Sequence, residues 1–191
     1  MKLVAGLGNV PESRYGGTRH NVGFQVVDVL AGRHALSFES SPIRALQAPW
    51  RQAGELVWLI KPLTLMNLSG DAVGAACRYY RVGPPDLLVV CDDVNLPLGR
   101  LRARGSGSEG GHNGLRSVAE NLGTIEYARL RIGVGRGDEQ RDLADHVLAR
   151  FETEELPGME EVIARAADAV EIWISDGLDR MMNAFNREES S

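Results

Sequence analysis

The run Leu-Leu-Val-Val-Cys at residues 87–91, followed at once by Asp92 and Asp93, indicates the fold class of this 191-residue chain. Five consecutive apolar residues predict a strand that is buried on both faces, as in a parallel sheet covered by helices. Three further segments carry strand patterns: residues 2–7 (KLVAGL), 56–60 (LVWLI) and 128–134 (ARLRIGV). The chain therefore contains several short strands of the kind that build a buried sheet.

Helical patterns alternate with these strands, at residues 22–30, 69–82, 114–122 and about 154–186. Ser69 is placed to cap the second helix, and Asp176-Gly177 interrupts the last one. Strands alternating with helices predict an α/β fold with a mixed, largely parallel twisted sheet flanked by helices on both faces. We expect one domain over residues 1–191, with an acidic helical C-terminal region at about 153–187.

The net charge of −5 conceals an uneven distribution. Residues 151–191 hold 11 acidic and 3 basic side chains, so residues 1–150 carry a net charge of +3. Within that part, residues 100–116 contain four arginines and one glutamate. A charged loop in solvent explains such a cluster, but a basic face for nucleic acid is also compatible with it.

The cellular compartment is predicted from apolar segments, leader signals and cysteine usage. Neither a run of about 20 apolar residues nor a cationic leader is found, so we expect a cytoplasmic protein without membrane contact. Cys77 and Cys91 lie outside any CxxC pair and are expected to be reduced thiols rather than zinc ligands.

Polar residues gather where the predicted strands end, which is where α/β sheets place their functional groups. They are Asn9, Asn67, the Asp92-Asp93 pair and the His112-Asn113 pair. The Gly6-Leu7-Gly8 turn suggests a dinucleotide site, but Pro11 occupies the position of the third glycine in that motif. The two aspartates suggest magnesium, although adjacent strand residues point in opposite directions.

His20 is the histidine whose position best fits catalysis, because it precedes a helix in the segment TRHNVGF. A loop imidazole at the mouth of a cleft can act as a base near neutral pH. His34, His112 and His146 also have structural explanations, and a role for His112 stays open. The chain has no Gly-x-Ser-x-Gly elbow, so a histidine that activates water is the simplest hydrolytic chemistry.

Eight motifs together resemble the bacterial-type peptidyl-tRNA hydrolases. They are GLGN (6–9), Tyr15, TRHN (18–21), KPLTLMNLSG (61–70), DD (92–93), GGHNGLRS (110–117), RLRIGVGR (129–136) and WISDGLDRMMNAFN (173–186). The resemblance covers nearly the whole chain. It implies hydrolysis of the ester between a peptide and tRNA, with release of tRNA for translation and a part in ribosome rescue.

The resemblance also implies roles for individual residues. His20 matches the general base, Asp92 its orienting carboxylate and Asn9 a third catalytic residue. The residues that bind the peptide would be Tyr15, Met66, Asn67 and Asn113, and those that bind tRNA would be Arg104 and Arg131. The family implies a monomer with no metal and no cofactor.

One departure from the family pattern lies directly after Asn9. Val10-Pro11-Glu12 stands where the family has Pro-Gly, and Tyr15 follows Asn9 by six residues instead of five. Two other hypotheses stay open: an RNA-binding relative without activity, and a nucleotide-dependent α/β enzyme. A hydrolysis assay with and without added nucleotide or metal separates them.

Overall fold

Seven strands form one sheet in the computed structural model, which describes residues 1–10 and 17–187. They are β1 (Lys2–Gly6), β2 (Glu39–Ser41), β3 (Ala45–Gln52), β4 (Glu55–Pro62), β5 (Leu87–Asp93), β6 (Leu101–Arg104) and β7 (Ala128–Gly133). Their order across the sheet is β2-β3-β4-β1-β5-β7-β6. The central strands β4, β1, β5 and β7 are parallel, and the outer pairings are antiparallel. The sheet is therefore mixed, as predicted, with its parallel part at the centre.

Helices cover both faces of this sheet, which confirms the predicted layering. They are α1 (Val22–Arg33), α2 (Ser69–Tyr80), α3 (Asn113–Leu122), α4 (Leu143–Val147), α5 (Leu156–Asp176) and α6 (Leu178–Phe185). One buried apolar cluster joins α1, α5 and α6 to one face of the sheet, and a second joins α2 and α3 to the other. Within the described residues, no helix is both long enough and apolar enough to cross a membrane.

The predicted elements are present, but two antiparallel edges of the sheet are additions that the sequence did not suggest. β2 and β3 extend one edge and β6 forms the other. The tight β3–β4 turn uses Ala53 and Gly54 in left-handed conformation, and Ala-Gly is not a typical hairpin signal. β6 has four residues, and two of them are arginine. This short, charged sequence lacks the apolar pattern that predicts a strand.

The predicted cap of α2 was wrong. Ser69 is the first residue inside the helix and Leu68 precedes it as the cap. The Ser69 hydroxyl donates to the carbonyl oxygen of Met66 at 2.7 Å, because a 3₁₀ turn over Met66–Leu68 runs directly into α2. The serine thus joins two helical segments instead of starting one.

Glycines in the Gly6-Leu7-Gly8 turn allow α1 to lie directly against β1. A Cβ on Gly6 would come within 2.3 Å of the Gly23 carbonyl oxygen, and one on Gly8 would meet the Phe24 ring. These glycines serve helix–strand packing, which agrees with the turn interpretation and leaves the dinucleotide hypothesis without support at this position. The packing also directs the chain after β1 towards the carboxyl edge of the sheet.

Candidate active site

A cavity of about 560 Å³ opens at the carboxyl edge of the parallel strands. Segments following β1, β4, β5 and β7 form its wall together with α4 and the glycine-rich loop before α3. Its lining residues are Asn9, His20, Leu65, Met66, Asn67, Asp92, Asp93, Val94, Asn95, Gly110, Gly111, His112, Asn113, Arg136, Leu143, Ala144, Val147 and Leu148. The cavity thus brings together segments that are far apart in the sequence, as expected at this edge of an α/β sheet.

His20 and Asp92 form a hydrogen-bonded pair in this cavity. The His20 Nδ1 atom lies 2.8 Å from both carboxylate oxygens of Asp92, whose side chain is 1% exposed. A carboxylate accepts hydrogen bonds, so Nδ1 carries the proton and the lone pair of the neutral ring is on Nε2. With its ring at the cavity wall, His20 can therefore accept a proton at Nε2.

The backbone that carries His20 is held in a short 3₁₀ turn over Arg19–Asn21. The buried side chain of Arg19 donates to the Arg150 carbonyl at 2.6 Å and to Glu155 at 2.8 Å. These contacts tie the turn to the segment that leads into α5. The turn that carries His20 is thereby anchored to the segment before α5.

His112 binds the same carboxylate from the other side. Its Nδ1 atom accepts backbone hydrogen bonds from Gly114 and Leu115 at 3.1 and 3.2 Å, which makes His112 the N-cap of α3. Since backbone N–H groups only donate, the ring proton is on Nε2, which lies 2.8 Å from Asp92 Oδ1. Asp92 thus accepts one hydrogen bond from each histidine.

These contacts shift the pKa values of both partners. Burial favours the neutral form of His20, but the charge and hydrogen bond of Asp92 outweigh burial, so the pKa of His20 is raised above 6.5. Burial also opposes ionisation of Asp92, yet the two histidines hold the pKa of this carboxyl well below its usual range. Near neutral pH the cavity therefore contains a carboxylate whose charge stabilises a protonated His20.

Asn9 is buried at the cavity wall, and Asn21 fixes its backbone. The Asn21 side chain accepts from the Asn9 backbone nitrogen at 2.7 Å and donates to the Asn9 carbonyl at 2.9 Å. Because one amide satisfies both backbone groups, the loop after β1 is held beside the turn that carries His20. Asn21 was not among the predicted site residues, and the motif TRHN is the signal that contained it.

Met66, Asn67 and Asn113 lie at the junction of α2 and α3, with both asparagines exposed on the cavity side. Glycines permit this close approach. A Cβ on Gly70 would come within 1.9 Å of the Ser117 carbonyl oxygen, and one on Gly114 within 2.6 Å of Met66 Sδ. The predicted peptide-binding residues Met66, Asn67 and Asn113 are therefore brought together with His20 and Asp92.

The remaining predicted site residues have different positions. Tyr15 lies outside the described residues. Arg104 is exposed on the edge strand β6, away from the residues that line the cavity. Arg131 is 12% exposed, contacts Asp93 at 3.5 Å and donates to the Ser108 carbonyl at 2.6 Å. The guanidinium of Arg131 therefore already holds the glycine-rich loop.

The cavity also contains the one group of side chains, within the described residues, that is arranged closely enough to suggest a metal site. One ligand atom each from His20, Asp92 and His112 lie within 4.8 Å of one another. Each histidine nitrogen is 2.8 Å from the carboxylate, the length of a hydrogen bond, whereas ligands that share a tetrahedral zinc ion lie about 3.3 Å apart. In this arrangement, hydrogen bonds join the carboxylate of Asp92 to the rings of His20 and His112.

The two cysteines do not offer a nucleophile at this site. Both are buried, and burial raises the pKa of Cys77 to about 11 and that of Cys91 further. Their thiols are protonated near neutral pH and do not line the cavity. Neither thiol is therefore placed to act as a nucleophile on a substrate in the cavity.

Comparisons with known proteins identify the family. The family model described as peptidyl-tRNA hydrolase matches residues 3–191. The chain belongs to the peptidyl-tRNA hydrolase family.

Relatives named peptidyl-tRNA hydrolase match along essentially their whole length. The one from Chloroflexus aggregans is 49% identical, with 97% of this chain and 99% of the relative covered. The one from Desulfitobacterium hafniense is 46% identical, with 98% and 100% covered. A crystal structure of peptidyl-tRNA hydrolase from Acinetobacter baumannii superimposes with a TM-score of 0.90 at 31% identity, covering 99% of this chain and 96% of that one.

Proposed function

We propose that this protein hydrolyses the ester between a peptide and the terminal ribose of tRNA, with His20 as the general base. The observation that carries this proposal is the His20–Asp92 pair at a cavity wall in a member of the peptidyl-tRNA hydrolase family. The reaction would return tRNA to translation, including tRNA left with peptide by stalled ribosomes. We further propose that it works as a cytoplasmic monomer.

In the first step, His20 Nε2 takes a proton from a water molecule as the water oxygen attacks the ester carbonyl. The ring becomes an imidazolium that Asp92 stabilises through Nδ1–H. Negative charge develops on the carbonyl oxygen. Amide N–H groups of Asn9 or Asn113 would donate to this oxygen, an effect worth roughly 3 kcal/mol for each donor.

In the second step, the tetrahedral intermediate collapses and the bond between the carbonyl carbon and the ribose oxygen breaks. His20 returns its proton from Nε2 to the leaving oxygen, which becomes a hydroxyl group of the tRNA. The peptide leaves as a carboxylic acid that ionises in water. Every proton transferred has a donor and an acceptor among His20, water and the substrate.

The peptide would be recognised by its backbone. Asn67 and Asn113 present amides that can both donate and accept, so they can pair with a peptide group regardless of its side chain. A free aminoacyl-tRNA carries an ammonium group at that place, and placing a charge beside neutral amides in a partly desolvated cavity is costly. The proposal therefore includes selectivity for esters whose α-nitrogen is blocked.

The test is a steady-state hydrolysis assay on N-acetyl-aminoacyl-tRNA and on the same tRNA with a free α-amino group. We expect the blocked ester to be cleaved far faster, and His20→Ala to lower kcat by at least ~100-fold with little change in tRNA binding. His34→Ala is the matched control, since His34 lies at the opposite end of α1 and pairs with Glu171. Near-normal turnover by the His20 variant, or equal rates on both esters, would refute the proposal.

A further inference from the structure

The charges that line the cavity are unusual for a site whose substrate is a polyanion. Two of the lining side chains, Asp92 and Asp93, are carboxylates. Among the described residues that line the cavity, Arg136 is the only arginine and there is no lysine. Within the described residues, Arg136 is therefore the one permanent positive charge that lines the cavity.

The backbone around Arg136 is firmly placed at the rim. It stands between Gly135 and Gly137, both in left-handed conformation with φ of 68° and 70°. The Gly135 nitrogen donates to the Leu96 carbonyl, and a Cβ on Gly137 would come within 2.6 Å of the His146 ring. His146 is buried and contacts the Val134 carbonyl oxygen at 3.1 Å, so the turn packs against a fixed group.

The side chain of Arg136 is oriented but retains free donors. Its Nη2 donates to Asn95 Oδ1 at 2.6 Å, and Asn95 Nδ2 donates in turn to the Gly110 carbonyl at 3.3 Å. Within the described residues this is the one hydrogen bond of Arg136, whose side chain is exposed. A guanidinium has five N–H donors, so at least one edge is available to an anion.

Other arginines nearby are less available or more distant. Arg131 already contacts Asp93 and the Ser108 carbonyl. Arg104 lies on the edge strand β6 and does not line the cavity. The ester and the nearest phosphodiester of a tRNA 3′ end lie on the same terminal nucleotide, one ribose apart. When the ester is at His20, that phosphodiester must therefore lie near the cavity mouth.

We propose that Arg136 forms a phosphate-binding subsite for the phosphodiester on the 5′ side of the terminal nucleotide. This inference rests on the proposed function and adds a residue to it. Arg136 would pair with the phosphate through its free N–H groups while Asn95 holds its orientation. The contact with Arg136 would position the ester relative to His20, whereas Arg104 would contact phosphates farther along the tRNA.

The test removes one negative charge from the tRNA and, separately, the positive charge of Arg136 from the protein. N-acetyl-aminoacyl-tRNA is assembled either with a normal last phosphodiester or with an uncharged methylphosphonate at that linkage alone. We expect the wild-type protein to prefer the normal linkage by about tenfold or more in kcat/KM, the effect of one hydrogen bond to a charged group. Arg136→Gln should abolish this preference, and Arg136→Lys should retain part of it.

Arg104→Gln is the matched control, because it removes the same charge outside the cavity. It should weaken binding of both tRNAs and leave the preference for the normal linkage intact. A wild-type preference that persists in Arg136→Gln, or no preference in the wild-type protein, would overturn the inference. Failure of the wild-type protein to cleave either tRNA would instead refute the proposed function, and the inference with it.

Discussion

Asp92 is the residue on which the candidate site depends most. Its buried carboxylate accepts Nδ1–H of His20, from the 3₁₀ turn before α1, and Nε2–H of His112, from the N-cap of α3. The first contact sets the tautomer in which His20 offers Nε2 to a water molecule. The second is possible because the backbone of α3 occupies Nδ1 of His112. One carboxylate therefore determines the tautomer of the base and anchors the loop opposite it.

The pH dependence of activity tests this arrangement. His20 acts as a base only when neutral, so kcat/KM should fall as pH drops through its pKa, with a midpoint above 6.5. Asp92→Asn removes the charge that raises this pKa and leaves burial, which lowers it. We expect the midpoint to move to lower pH and kcat on the plateau to fall by ~100-fold or more. A pH–rate profile with an unchanged midpoint would contradict the assignment of His20 and Asp92.

Among the secondary-structure elements, the contact between α2 and α3 positions Asn67 and Asn113 at the site. The Gly70 nitrogen donates to the Ser117 hydroxyl at 2.9 Å. This close approach of α2 to α3 is possible because Gly70 has no side chain. The opposite wall is held by arginines of β7. Arg129 is buried and donates to the Gly107 carbonyl at 2.8 Å, next to the Ser108 carbonyl bound by Arg131. Hydrogen bonds from the two arginines thus hold the glycine-rich loop at the consecutive residues Gly107 and Ser108.

Gly70→Ala should destabilise the protein by about 1–3 kcal/mol, because the new Cβ meets backbone atoms of Ser117 that have little room to move. Gly32→Ala is the matched control in α1, where a Cβ would meet nothing within 4 Å. That change should stabilise by about 0.5–1 kcal/mol through helix propensity. Urea denaturation of both variants measures the difference, and equal stabilities would show that α2 and α3 do not need this close contact.

At the scale of the whole molecule, positive charge is concentrated on one edge of the sheet and negative charge in the C-terminal region. β6 and β7 are antiparallel, with Arg102 opposite Arg131 and Arg104 opposite Arg129, so all four side chains share one face. Arg129 and Arg131 are engaged with loop carbonyls, whereas Arg104 is exposed. This edge is the one that we expect to face the body of the tRNA.

Arg104→Glu should raise KM for full-length peptidyl-tRNA far more than it lowers kcat, because phosphate contacts are shared by the ground and transition states. It should also make the salt dependence of binding shallower. Arg51→Glu changes the net charge equally at an exposed position of β3, near the opposite edge of the sheet, and serves as the control. Identical salt slopes for the two variants would place the tRNA on another surface.

Arg131→Glu should behave differently from Arg104→Glu. Its guanidinium holds the Ser108 carbonyl and contacts Asp93, so its replacement disturbs the loop that carries His112. We therefore expect kcat to fall together with the rise in KM. Steady-state kinetics on the same tRNA separates the two arginines, and a pure KM effect at both positions would argue that Arg131 is also a phosphate contact only.

Elements whose signals are local could be predicted from the amino-acid sequence. Apolar runs such as 87–91 and the helical spacing of 22–30 predicted their strands and helices, because burial on one or both faces imposes a period on neighbouring residues. The strands β2, β3 and β6 lack such a period and form through pairing with distant partners. The motifs also indicated the residues that meet in the cavity, although their roles stay predictions.

The contacts between distant side chains could not be predicted in this way, because they depend on how the elements pack. Nothing within the segment GGHNG indicates that His112 shares Asp92 with His20, or that Asn21 holds the backbone of Asn9. The two arginines predicted to bind tRNA differ in the structure: Arg104 is exposed, whereas Arg131 contacts Asp93 and the Ser108 carbonyl. Such partners are separated by 12 to 72 residues in the sequence. Their distances follow from helix and strand packing, which a local pattern does not contain.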